Sequence, residues 1–153
     1  MNVLAFDLGS HVGWAALHEG RLVSGAWDNP ARYADCPGRF FVCFRTWLAD
    51  MRRWHEPQLV AFEMTHPGRG QHQGLISYGM ITRVQEWAYA HDMREVSVFS
   101  STLKKFTTGN GRAEKADMIA AMKRRWKLKR LTNPDEADAL AVLFWVIEKE
   151  RIR

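Results

Sequence analysis

Apolar and polar positions follow two rhythms along this chain of 153 residues. Val3-Leu4-Ala5-Phe6 is a short unbroken apolar run, which predicts a central strand over 2–6 with both faces covered. Leu59-Val60-Ala61-Phe62 predicts a second such strand over 58–63, and "EVSVFS" a third over 95–100. Between the first two, "VGWAALHEGRLVSGAW" (12–27) reads as two strands around a tight turn at Glu19-Gly20. The helical rhythm appears over 36–54, where Phe40, Phe44, Trp47 and Met51 recur at steps of four, three and four. It returns over 75–91, with Ile76, Met80, Val84 and Trp87 facing inward.

Gly and Pro mark 65–74 as a loop. After the third strand come a short basic helical turn, "STLKKF", the loop "TTGNGR", and a helix over 113–126. A last helix opens at Asn133, a suitable N-cap, with Pro134 at its first position. Strands alternating with helices imply parallel strands. The expected fold is α/β: one domain over 1–153, with a five-stranded mixed sheet flanked by helices on both faces.

Composition narrows the class. Nearly half the residues are apolar, which excludes a disordered chain, and no apolar run is long enough to cross a membrane. No secretory leader is expected at the N-terminus. Cys36 and Cys43 stand seven apart without a CxxC pattern, so neither a disulfide nor a zinc site is expected, and a reducing cytoplasmic setting is. The net charge is +5, and ten of the 22 Lys and Arg fall between Lys104 and Arg130 against only Glu114 and Asp117. That asymmetry suits a polyanionic partner; a solvated helix face gives the same pattern.

The acids carry the sharper signal. Asp7 and Glu63 each close an apolar strand, and a buried lone carboxylate is costly. In an open α/β sheet, ligands bind beyond the carboxyl ends of parallel strands. Asp135 and Asp138, three apart, share a face near the start of the last helix, and Glu136 points elsewhere. Taken singly, these are a strand-end ion pair and helix capping. Converging, they repel one another unless multivalent cations hold them, and hard oxygen ligands select Mg²⁺ or Mn²⁺. Two such ions about 4 Å apart clamp a phosphodiester for in-line attack.

"FDLGSHVGWA", "AFE", "LKKFTTGNGRAEKADM" and "NPDEADALAV", in this order and spacing, resemble the RuvC family of Holliday junction resolvases, within the ribonuclease H-like superfamily. The likeness spans nearly the whole chain, and its most specific parts are Gly109, Gly111, Ala113 and Lys115 and the final D-x-x-D-A-L-A. Leu8 stands where the family more often has Pro. The resemblance implies an Mg²⁺-dependent endodeoxyribonuclease with two ions, Mn²⁺ substituting, that cuts four-way and related branched DNA as a homodimer with no organic cofactor. It carries Asp7, Glu63, Asp135 and Asp138 over as catalytic metal ligands. The small size and divergence between motifs suggest a bacteriophage member working in the host cytoplasm.

The resemblance also assigns lysines to the scissile phosphate: Lys104 or Lys105 after the third strand, with Lys105 expected as the catalytic one and Lys104 as a DNA contact, and Lys115, also catalytic, at the start of a helix whose N-terminus can meet a phosphate. Arg112 and Arg69 are expected to contact the DNA backbone, and His66 and His72 lie in the same loop as Arg69. The apolar bulk of Leu75, Ile76, Tyr78, Met80, Ile81, Val84 and Trp87 exceeds one core stripe, so this helix is the expected dimer face, with Ile81 at its outer edge. Alternatives are a flap, fork or structured-RNA nuclease of the same fold, a non-catalytic DNA-binding module, and an actin-like nucleotide-binding domain. The last conflicts with the short chain and the single glycine-rich loop.

Overall fold

The three apolar runs lie side by side. The computed structural model describes residues 1–64 and 70–152 and contains β1 (Val3–Asp7), β2 (His11–His18), β3 (Arg21–Asp28), α1 (Pro37–His55), β4 (Leu59–Met64), α2 (Gln71–Ala90), β5 (Arg94–Phe99), α3 (Ser100–Thr108), α4 (Lys115–Trp126) and α5 (Pro134–Glu150). One sheet runs β3-β2-β1-β4-β5. β1, β4 and β5 are mutually parallel, and β2 and β3 form an antiparallel hairpin against β1. Glu19 and Gly20 both take positive φ, the turn geometry whose twist matches the strands it joins.

Strand alternation sorts the core into two layers. Val3, Ala5, Leu59 and Ala61 face α4 and α5 and pack with Met118, Met122, Leu140 and Leu143. Leu4, Phe6, Val60 and Phe62 face α1 and α2 and pack with Phe40, Phe44, Met80 and Val84. Each large side chain so buried contributes about 1.5–3 kcal/mol. The register pairs Val3 with Leu59 and Ala5 with Ala61, so the next residues on the α5 face are Asp7 and Glu63. The small Ala5, Ala15 and Ala61 on that face share a core with Ala137 and Ala141, one turn apart on α5, which lets the helix lie close across the sheet.

Several boundaries depart from the sequence reading. α2 starts at Gln71, inside the expected loop. α3 continues through Thr107 and Thr108, where a loop is expected, and α4 starts at Lys115 rather than 113. Ile81 is buried, not at an outer edge, because it joins Ile76, Met80 and Val84 against the sheet. Cys36 and Cys43 are both free thiols. Among the described residues, no helix is long and apolar enough to cross a membrane.

Candidate active site

Asp7 and Glu63 occupy the last turns of the pleat in neighbouring parallel strands, on the face that α5 covers. The start of α5 is fixed over them by three local devices. The Asn133 side chain accepts hydrogen bonds from the Asp135 and Glu136 backbone N–H groups at 2.9 and 3.1 Å. Pro134 supplies a preset φ at the first helical position. On β3, the Ser24 hydroxyl donates to the Glu136 carboxylate at 2.7 Å, which turns Glu136 toward the sheet edge. Asp135 and Asp138 then face inward, and a cleft of about 230 Å³ is lined by Asp7, Glu63, Asp135, Asp138, Lys104 and Lys115, with Ser100 and Met118 completing it.

The cleft carries more negative than positive charge. Burial pushes the Asp138 carboxyl up to about 7, the neighbouring Glu63 and Asp135 carboxylates add to the rise, and Lys104 and Lys115 oppose it. As the side chains stand, no three Asp, Glu, His or Cys groups among the described residues are gathered tightly enough to enclose an ion. The donor set is nonetheless all carboxylate oxygen, the chemistry that hard divalent cations take.

At the lysine after β5 the structure departs from the sequence reading, which expects Lys105 in the catalytic role. Lys104 lines the cleft, whereas Lys105 is exposed on α3 and is not among the lining residues. Lys115 reaches the cleft from the first turn of α4. The start of that helix is partly occupied by its own chain, because the Asp117 carboxylate accepts the Glu114 N–H at 3.0 Å. Arg112 is exposed on the turn before α4, its N–H bonded to the Asn110 side chain, and does not line the cleft. Arg69 and His66 lie outside the described residues. His72 is exposed in the first turn of α2, with its ring 5.3 Å from that of Tyr33. Ser100, where β5 passes into α3, carries no motif signal; its position one residue beyond a parallel strand is the only hint of its role.

No protein-family model matches the chain, and no curated protein matches it in sequence. Solved structures do. Thermus thermophilus RuvC superposes with a TM-score of 0.82 at 19% identity, over 99% of this chain and 96% of that one. The chain has the ribonuclease H-like fold of RuvC. RuvC in complex with a Holliday junction substrate gives a TM-score of 0.83 at 18% identity, with the same coverage. The fowlpox virus resolvase bound to Holliday junction DNA gives 0.62 at 13% identity, over 96% of this chain and 99% of that one. The likeness to RuvC spans both layers around the sheet, since nearly the whole of each chain takes part.

Proposed function

We propose that this protein is a single-domain, divalent-metal-dependent endodeoxyribonuclease that resolves four-way DNA junctions as a homodimer. One observation carries the reading: carboxylates from β1, β4 and α5 meet two lysines in one cleft, on a fold shared with junction-bound RuvC. A pure DNA binder gains nothing from four acids beside a phosphate backbone. Asp7, Glu63, Asp135 and Asp138 would hold the metal, as two Mg²⁺ ions or Mn²⁺ in their place. When bound, such ions supply an activated water and stabilise the leaving oxygen.

The chain's own residues do the rest. The α5 cap and the Ser24–Glu136 bond fix the two aspartates relative to the strand-end acids. Lys104 and Lys115 place positive charge where the scissile phosphate must sit. Ser100 offers a hydroxyl at the same wall. Lys105 and Arg112 are exposed nearby and serve the flanking backbone, as does Arg69. With this reading goes a cytoplasmic setting, in reach of the DNA.

Resolution requires two cuts of like polarity, and the described residues of this chain gather one such set of acids. A two-fold dimer satisfies both demands. Leu75, Tyr78 and Tyr89 are exposed on the outer side of α2 and give it an apolar stripe.

The test is incubation of the purified protein with labelled four-way junctions, flaps, forks and structured RNA, with and without Mg²⁺. Paired symmetric cuts in the junction, only with metal, are expected. Preferential cutting of flaps, forks or RNA would replace this reading, and binding without cleavage in any metal would reduce the protein to a DNA-binding module.

A further inference from the structure

Beside the acidic cleft stands a second pair of titratable groups that the proposed chemistry does not use. His11 opens β2 and Asp28 closes β3, and the hairpin register sets them directly opposite each other. The His11 Nδ1 lies 2.6 Å from the Asp28 Oδ1. Both side chains are mostly solvent-exposed, at 70% and 80%. Two residues on from His11 along β2 is Gly13, which faces the Asp135 backbone, so alternation sends His11 to the same side of the sheet. The Asp135 carboxylate is near enough to act on the imidazole.

We propose that His11, oriented by Asp28, holds a nucleic-acid phosphate at the rim of the cleft, on the side opposite Lys104 and Lys115. The sheet order carries the placement. The lysines follow β5, at one end of the sheet, and His11 stands on β2, across β4 and β1. A strand crossing the acids would then meet a cationic donor on each side. The inference rests on the proposed function only in taking DNA as the ligand.

The chemistry of the dyad sets when the contact exists. With Nδ1 committed to Asp28, a neutral imidazole keeps its proton there, and Nε2 becomes an acceptor that repels phosphate. Only the imidazolium donates from both nitrogens. Asp28 raises the His11 pKa above 6.5, first through the hydrogen bond and then through its charge; Asp135 adds to the rise, and partial burial opposes it. Across the sheet edge, Arg32, Tyr33 and His72 are the other charged or ionisable side chains that share a pocket of about 400 Å³ with His11. The contact is thus present at low pH and lost as pH rises through the raised pKa. Ionisation of the Asp138 carboxyl, pushed up to about 7, would add negative charge beside the DNA, so its contribution must be removed.

The experiment measures binding of a labelled four-way junction and a matched duplex by fluorescence anisotropy, in chelator, from pH 6 to 8.5. Asp138→Asn is the parent for His11→Ala, His11→Lys and Asp28→Asn, and melting temperatures are taken for each. At pH 6, His11→Ala should weaken binding roughly five-fold and flatten the salt dependence by about one counterion. It should also remove the fall in affinity with pH. His11→Lys should restore affinity at all pH values, and Asp28→Asn should move the fall to lower pH. An unchanged affinity and pH profile in His11→Ala would overturn the proposal. So would equal losses in the Ala and Lys variants accompanied by a lower melting temperature, or a loss of cleavage rate alone in the wild-type background. Equal binding of duplex and junction by the parent would sink the junction reading and leave this test intact; no binding of either DNA would end both.

Discussion

The backbone of Asp135 passes so close to Gly13 that a Cβ on the glycine would stand 1.8 Å from the Asp135 carbonyl oxygen and 2.8 Å from the Glu136 nitrogen. Gly13 is also the residue paired with Asp7 across β1 and β2. One missing side chain therefore sets the distance between a strand-end acid and the helix that carries two more. The obstruction would be backbone, which cannot rotate away. Gly13→Ala should displace the first turn of α5, costing on the order of 3 kcal/mol in stability and about 100-fold in cleavage rate. Chemical denaturation and single-turnover cleavage check the two effects, and wild-type values for both would show that the approach tolerates a methyl group.

Asp138 stores an unfavourable charge. Its carboxyl titrates at about 7 in the folded protein against 3.8 ordinarily, so the folded state holds this proton more tightly than the unfolded state does. The sign follows: the protonated form is fully tolerated below about pH 4, and stability falls as pH rises toward 7. At full ionisation the cost is on the order of 4 kcal/mol. Asp138→Asn should therefore melt at least about 5 °C higher than wild type at pH 8 in chelator, with a smaller gap at pH 5. It should also abolish cleavage. Added Mg²⁺ should stabilise the wild type more than the variant at pH 8. A variant melting below wild type at pH 8 would refute the strain.

Within α5, the register of the acids can be read through Glu136. Its carboxylate accepts from Ser24 rather than entering the cleft. Glu136→Gln keeps an acceptor for that hydroxyl and should retain cleavage within a few-fold, whereas Asp135→Asn should lower it by roughly 100-fold or more. Abolition of cleavage by Glu136→Gln alone would mean the wrong face had been assigned to the site.

Lys104 and Lys105 separate positioning of charge in the cleft from contact with the flanking DNA. Lys104→Met should lower the single-turnover rate by about 100-fold at saturating DNA. Lys105→Met should mainly weaken binding, with a salt dependence reduced by about one counterion. The reverse pattern, read from rate and affinity in parallel, would exchange their roles.

Much of this architecture was legible because buried parallel strands are apolar on both faces. Leu4 and Phe6 point one way and Val3 and Ala5 the other, so β1 and β4 stand out, and Asp7 and Glu63 interrupt them visibly. Asn133-Pro134 marks the start of α5 chemically. Other features have no local signal. Gln71, His72 and Gln73 extend α2 without an apolar residue to reveal it. Thr107 and Thr108 are weak helix formers, yet α3 runs through them, with the Thr108 hydroxyl bonded to the Lys104 carbonyl. That longer helix has a single buried residue, Leu103, so helical phase alone did not separate Lys104 from Lys105. The Gly13–Asp135 approach and the His11–Asp28 pair join distant parts of the chain and become visible only once the sheet is assembled.

The oligomeric state is the prediction on which junction resolution depends. Ile81, which the sequence placed at the outer edge of α2, is buried in the core and would disrupt folding if charged. The outward face runs instead through Leu75, Tyr78, Thr82 and Tyr89, at steps of three, four and seven, the spacing of a seam between paired helices. Leu75 is 54% exposed and Tyr89 is 88% exposed, a costly display of apolar surface for an isolated chain. Substituting Leu75→Glu and Tyr78→Glu together should leave the melting temperature within a few degrees of wild type, since neither residue belongs to the core. Light scattering at micromolar concentration should report a dimer for wild type and a monomer for the double variant. The monomer keeps a complete acidic cleft and should nick one strand of a junction, but it should lose paired, symmetric incision. A wild-type protein that stays monomeric both free and on junction DNA would defeat resolution by a dimer and favour a nuclease that makes single cuts at flaps or forks.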